Sequence, residues 1–149
     1  MAVDADANRF TVRLVDWSES GEELRSVRRT VFIDEQSIPE ALEWDEFDAV
    51  CRHALAEDAA GRAVGCGRLL PDGHIGRMAV LSAWRGKGVG AALLRHLVDL
   101  ARARGHARVI LNSQTQAMPF YARNGFVAAG FEYLEAGIPH RTMILALEA

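Results

Sequence analysis

Apolar and polar residues alternate over residues 10–17 (FTVRLVDW), a period of two that predicts a half-buried strand. Between 18 and 36 the period lengthens. Leu24, Val27, Val31 and Phe32 fall at helical spacing behind Glu19, Glu22 and Glu23, acids suited to a first turn, and Ile38-Pro39 ends the segment. Residues 40–48 (EALEWDEFD) have no clear period and predict a loop with at most one helical turn. From Cys51 the chain reads as a meander: CRHALAED, the turn AAG, RAVGCGRLL, the tight turn Pro71-Asp72-Gly73, and HIGRMAVL over 74–81. Residues 89–104 return to the helical period, with Val89, Leu93, Leu97 and Ala101 in one row, Leu94 and Val98 beside it, and Gly105 as a C-cap. ARVILN (107–112) predicts a buried strand. A short helix then runs to about Arg123, is stopped by Asn124-Gly125, and is followed by a closing antiparallel strand pair. Helices over a mixed sheet are the architecture this order implies.

Composition narrows the picture without changing it. The 149 residues make most simply one domain, 1–149, half hydrophobic and a quarter charged. A net charge of −3 offers no global case for nucleic acid, and no apolar run approaches the roughly 20 residues that span a bilayer. The acidic start MAVDADANRF lacks a signal-peptide core. Cys51 and Cys66 form neither a disulfide framework nor a metal cluster and read as small core residues, so a reducing, cytoplasmic location is expected. The five histidines contain no H-E-x-x-H pairing, so no metal is expected.

Candidate chemistry concentrates in AWRGKGVGAALL (83–94), where Gly86, Gly88 and Gly90 alternate with Arg85 and Lys87 at a strand–helix junction. A helix start exposes unpaired N–H groups at the positive end of its dipole. Glycines there permit positive φ and remove the Cβ atoms that would hold an anion away, while the two cations add charge. The P-loop pattern fails because no Ser or Thr follows Lys87, and the dinucleotide fingerprint fails because position 91 is alanine. The alternative is a flexible loop that merely precedes a helix.

The string R-G-K-G-V-G-A resembles the pyrophosphate loop of the GNAT superfamily of acyl-CoA-dependent N-acetyltransferases, Arg/Gln-x-x-Gly-x-Gly/Ala, with Arg85, Gly88 and Gly90 in the specified places. RMAVLSAWRGKGVGAALL is similar to that family's central strand, loop and helix, and NSQTQAMPFYARNGF to the segment after it. VFIDEQSIPEALEWDEFDAVCRHALA carries a narrower likeness, to a small stand-alone bacterial branch of ElaA/YjcF type. The resemblance spans roughly residues 10–147. It implies an α/β (α+β) GNAT fold, with a central mixed, mostly antiparallel twisted sheet of about six to seven strands and helices on both faces. The activity implied is acetyl transfer from acetyl-CoA to a primary amine of a small molecule or peptide, by direct attack in a ternary complex. A homodimer is left open.

By the same resemblance, the CoA pyrophosphate would rest on Arg85, Gly86, Lys87, Gly88, Val89, Gly90 and Ala91. The pantetheine arm would run beside Met78, Ala79 and Val80, with Asn112 and Phe120 nearby. Tyr121 matches the usual acid for the leaving thiolate, against the alternative that it only packs the sheet. Glu43, Trp44, Asp45, Asp48 and His140 fall where the family shapes its acceptor site. Glu43 is the candidate base, and the other reading of that acidic stretch is a solvated loop. His53, His74 and His140 are weighed as bases against structural and exposed histidines. Two other activities stay open: an acyl-homoserine-lactone-synthase-like transferase, since R-x-x-V-F and E-x-D-x-F-D resemble that family too, and a non-catalytic acyl-CoA-binding sensor.

Overall fold

In the computed structural model, which describes residues 8–147, β1 (Phe10–Asp16) runs directly into α1 (Trp17–Arg28). The acidic first seven residues, and with them the expectation about a signal segment, lie outside the described range, as do residues 148–149. Asp16 starts α1 by donating its N–H to the Glu19 carboxylate, one half of a capping box. The single helix expected to reach residue 36 changes geometry at Arg29 and continues to Glu35 as a π-helix, marked by the Gln36 N–H to Val31 C=O bond of 3.1 Å. The extra residue per turn lets Val31 and Phe32 both enter the core. Ser37, at φ +59°, then turns the chain into α2 (Glu40–Glu43) and a 3-10 turn over Glu46–Ala49.

The meander follows as β2 (Arg52–Asp58), β3 (Ala63–Leu69) and β4 (His74–Val80), then α3 (Val89–Ala103), β5 (Arg108–Gln114), α4 (Met118–Arg123), β6 (Val127–Glu135) and β7 (Ile138–Ala146). The seven strands form one sheet in the order β1-β2-β3-β4-β5-β7-β6, antiparallel throughout except where β4 meets β5. The two faces bury alternate residues. Ala54, Ala56, Val64 and Leu69 pack under the Val89/Leu93/Leu97/Ala101 row of α3, whereas Val15, Leu55, Cys66 and Ala79 pack under Leu24, Val27, Val31 and Phe32. Burial pushes the Cys66 thiol up to about 12 and Cys51 up to about 11, so both are inert core thiols. Among the described residues no helix is long and apolar enough to cross a membrane.

Candidate active site

β4 and β5 pair only at His74↔Ile110 and Ile75↔Leu111, then diverge. Parallel strands that part after two residues leave two strand edges facing each other across a gap. That gap is a cleft of about 1300 Å³, walled by Gly76–Val80 on one side and Leu111–Gln114 on the other. The β4 wall is not straight: its register against β3 shifts, and Arg77 sits at φ +51° in the bulge.

One end of the cleft is the glycine loop. The first bond of α3 runs from the Ala92 N–H to the Gly88 carbonyl at 3.1 Å, so the N–H groups of Gly88, Val89, Gly90 and Ala91 open the helix without intrahelical acceptors. Gly88 has φ +88°, which places the chain for that opening, and a Cβ there would meet nothing within 4 Å. Gly90 is glycine for another reason, since its Cβ would come within 3.2 Å of the Phe120 ring. Together these make an anion cradle of backbone donors facing the cleft. The two loop cations are placed differently from the expectation. Arg85 donates Nη1 and Nη2 to the two Glu35 oxygens at 2.8 Å each and Nε to the Val80 carbonyl at 2.9 Å, so its charge is already balanced. The Lys87 ammonium stands 5.1 Å over the Trp84 ring.

Tyr121, from α4, lines the same cleft. Its ring is wedged edge-on between Phe120 and Phe126, with centroids at 5.0 and 5.8 Å. Its hydroxyl has no hydrogen-bond partner among the described residues, and burial pushes its pKa up to about 12. The ring packs between two phenylalanines, and the hydroxyl has no bond to the described residues. Asn112, also in the wall, accepts from the Thr142 hydroxyl at 3.0 Å, which leaves its NH₂ group to donate.

The acidic segment is not a solvated acidic loop. Arg28 (α1), Arg68 (β3) and Arg77 (β4) converge on it, three cations against Glu43, Asp45 and Asp48. Arg28 donates Nε to Glu43 at 2.8 Å and Nη1 to Asp48 at 2.7 Å, with Nη2 on the Glu43 carbonyl at 2.9 Å. Arg68 takes Asp45 with both Nη atoms, at 2.7 and 2.8 Å, and Asp48 at 2.8 Å. Arg77 reaches the Glu43 carboxylate at 3.1 Å. Glu43 and Asp48 are each only 2 % exposed. Burial raises the Glu43 pKa even against two arginines, whereas the hydrogen bond from Arg68 leads in lowering Asp45. Glu43 and Asp45 line the cleft with arginines already bonded to their carboxylates, whereas Asp48 lies behind them between Arg28 and Arg68. Trp44 packs on the same cluster. It covers the Arg28 guanidinium at 5.1 Å and bonds Glu40 at 3.2 Å, and neither it nor Asp48 lines the cleft. His53 is structural: buried, with Nε2 2.9 Å from the Asp48 carbonyl and a pKa lowered by burial. His74 pairs with Asp72 at 3.0 Å.

Glu35 and Gln36 carry no catalytic motif signal in the sequence, yet both bond residues that line the cleft. Glu35 holds Arg85 on the β4 side, and Gln36 exchanges amide hydrogen bonds of 2.8 and 3.4 Å with Gln114 at the end of β5. The π-helical turn thus staples both lips of the cleft. Met78, Ala79, Val80 and His140 also line it.

The sheet thus splits where β4 and β5 diverge, with open backbone N–H groups at one end of the gap and the Tyr121 phenol lining it, and this architecture is that of the acyl-CoA-dependent acyltransferases. Residues 16–147 match the acetyltransferase (GNAT) domain. The chain is 39 % identical over 122 residues to an uncharacterized N-acetyltransferase, YjcF, of Bacillus subtilis, covering 79 % of this chain and 86 % of that one. Escherichia coli ElaA superposes with a TM-score of 0.81 at 28 % identity, covering 91 % of this chain and 99 % of that one. An N-acetyltransferase structure from Lactobacillus plantarum superposes with a TM-score of 0.85 at 24 % identity over 93 % and 99 % of the two chains. The protein belongs to the GNAT acetyltransferase family and is an acyltransferase.

Proposed function

We propose that the protein transfers the acetyl group of acetyl-CoA to a primary amine of a small molecule or peptide, by direct attack in a ternary complex. The observation that carries this is one cleft holding both the open N–H groups of Gly88–Ala91 and the unpartnered Tyr121 hydroxyl. The N–H groups would take the pyrophosphate, with the α3 dipole behind them. The exposed edge of β4 along Met78–Val80 would pair with the pantetheine amides as an added strand does, and the Asn112 NH₂ would donate from the opposite wall. A backbone N–H near Val80 would stabilise the oxyanion, and Tyr121 would protonate the departing thiolate.

Calorimetric titration with acetyl-CoA and with a long-chain acyl-CoA tests the reading. Wild type is expected to bind acetyl-CoA at micromolar concentration. Gly88→Val is expected to lose that binding, because φ +88° strains any side chain and valine fills the open space. Arg85→Ala is expected to weaken it by no more than about fivefold, the ceiling for a surface ion pair, with Glu35→Ala matching it and the double variant no worse. A long-chain preference would favour the lactone-synthase-like activity. Tight binding with no turnover on any primary amine would favour a sensor, and no binding by folded wild type would end the proposal.

A further inference from the structure

We infer that His140 is the base that takes the acceptor's proton, and that Glu135 beside it anchors the acceptor's positive charge. This rests on the transferase reading and says where in the cleft the amine is held.

The β6–β7 hairpin pairs Tyr133↔His140 and Glu135↔Ile138 around Ala136-Gly137, whose φ values of +52° and +75° make a tight two-residue turn. Tyr133, Glu135 and His140 therefore share one face of the hairpin, and Glu135 and His140 line the cleft that Tyr121 lines. The His140 side chain is 9 % exposed. Its Nδ1 lies 2.7 Å from the Ile138 carbonyl, which can only accept, so the ring proton of the neutral form sits on Nδ1 and the lone pair on Nε2. Tyr133 stacks on the ring at 6.0 Å and 25°, holding its plane. The Glu135 carboxylate stands 3.6 Å from Nε2, too far for a direct hydrogen bond, and one ammonium can donate to both. No arginine or lysine among the described residues pairs with Glu135, whereas every carboxylate of the acidic segment that touches the cleft is held by arginine. The groups around His140 are few. Tyr133, its pKa raised by burial, and Glu135 come from β6; Gln114, opposite on β5, is uncharged; and Arg141 turns its Nε to the Gly130 carbonyl.

The step balances with these groups. Nε2 of His140 takes one proton from R–NH₃⁺, and the freed lone pair forms the C–N bond. The thioester C–S bond breaks with its electron pair on sulfur, which takes the Tyr121 proton. The tyrosine recovers a proton from the substituted nitrogen, and His140 releases its own to solvent. Ammonium and acetyl thioester become amide, thiol and one proton.

The probe is n-butylamine. In ¹⁵N ring-labelled protein with CoA bound, resonances assigned by their loss in His140→Gln should show protonated Nδ1 and bare Nε2. Adding n-butylamine should shift Nε2 in wild type and not in Glu135→Gln. With acetyl-CoA as donor, His140→Gln should lower kcat by about 10²–10⁴-fold at unchanged acetyl-CoA affinity. Glu135→Gln should raise KM for the amine more than it lowers kcat. A protonated Nε2, an unshifted Nε2, or a kcat that survives His140→Gln would overturn the assignment. Loss of acetyl-CoA binding by wild type would instead undo the transferase reading, while the ring spectrum would still report on His140.

Discussion

Arg28→Ala is expected to destabilise the protein by about 3–5 kcal/mol, lowering its melting temperature by roughly 10 °C. Arg28 is fully buried and bonds both Glu43 and Asp48, which are themselves buried. Removing the guanidinium takes away its charge-assisted bonds to both carboxylates and leaves them with less compensation than their desolvation requires. Urea unfolding measures the loss. The mechanism is separable from packing: Arg28→Met combined with Glu43→Gln should recover much of the stability, because Arg68 and Arg77 then face Asp48 and Asp45 charge for charge. Arg29→Ala, one residue along, removes an exposed pair with Glu40 and should leave unfolding where it was. A loss at position 29 as large as that at 28 would show that helix geometry, not buried charge, governs this turn.

That cluster also marks where the sequence stopped being readable. The strands and α3 follow from local periods of two and 3.6, and the anion cradle from glycines adjacent in the chain, so a short window contains all the information each needs. Arg28, Arg68 and Arg77 look like ordinary surface arginines in such a window. Their partners lie 15 to 34 residues away, and only the meander and the return of α1 bring them together. The acidic segment therefore reads as part of an acceptor site or as a solvated loop, and its ion pairs with the three arginines show in neither reading. The π-helix was invisible because one extra residue per turn barely disturbs a period read over two turns, yet it aims Glu35 and Gln36 at opposite lips of the cleft. His140 was visible as a residue but not as a pair with Glu135. The register of β6 against β7 shifts between Ala129 and Tyr133, so alternation counted from the start of β6 does not say which residues face the cleft.

Tyr121→Phe is expected to lower kcat by about 10²–10⁴-fold while leaving acetyl-CoA affinity and stability nearly unchanged. The separation follows from how the residue is held. Phe120 and Phe126 grip the ring, which phenylalanine retains, and the hydroxyl has no partner to lose among the described residues. The variant therefore subtracts only a proton donor facing the cleft. The pH profile supplies an independent check. Burial of Tyr121 disfavours its charged form and raises the pKa from 10.0 to about 12, so the phenol keeps its proton as pH rises past the point where an exposed tyrosine would lose it. Wild-type kcat, followed as thiol release with any amine that is turned over, should show no alkaline limb from this group below a pH of about 11. An alkaline limb near pH ~10 that vanishes in Tyr121→Phe would mean the hydroxyl is solvated in the ternary complex. A kcat unchanged by the substitution would leave the acyltransferase in place and give the protonation of the thiolate to solvent.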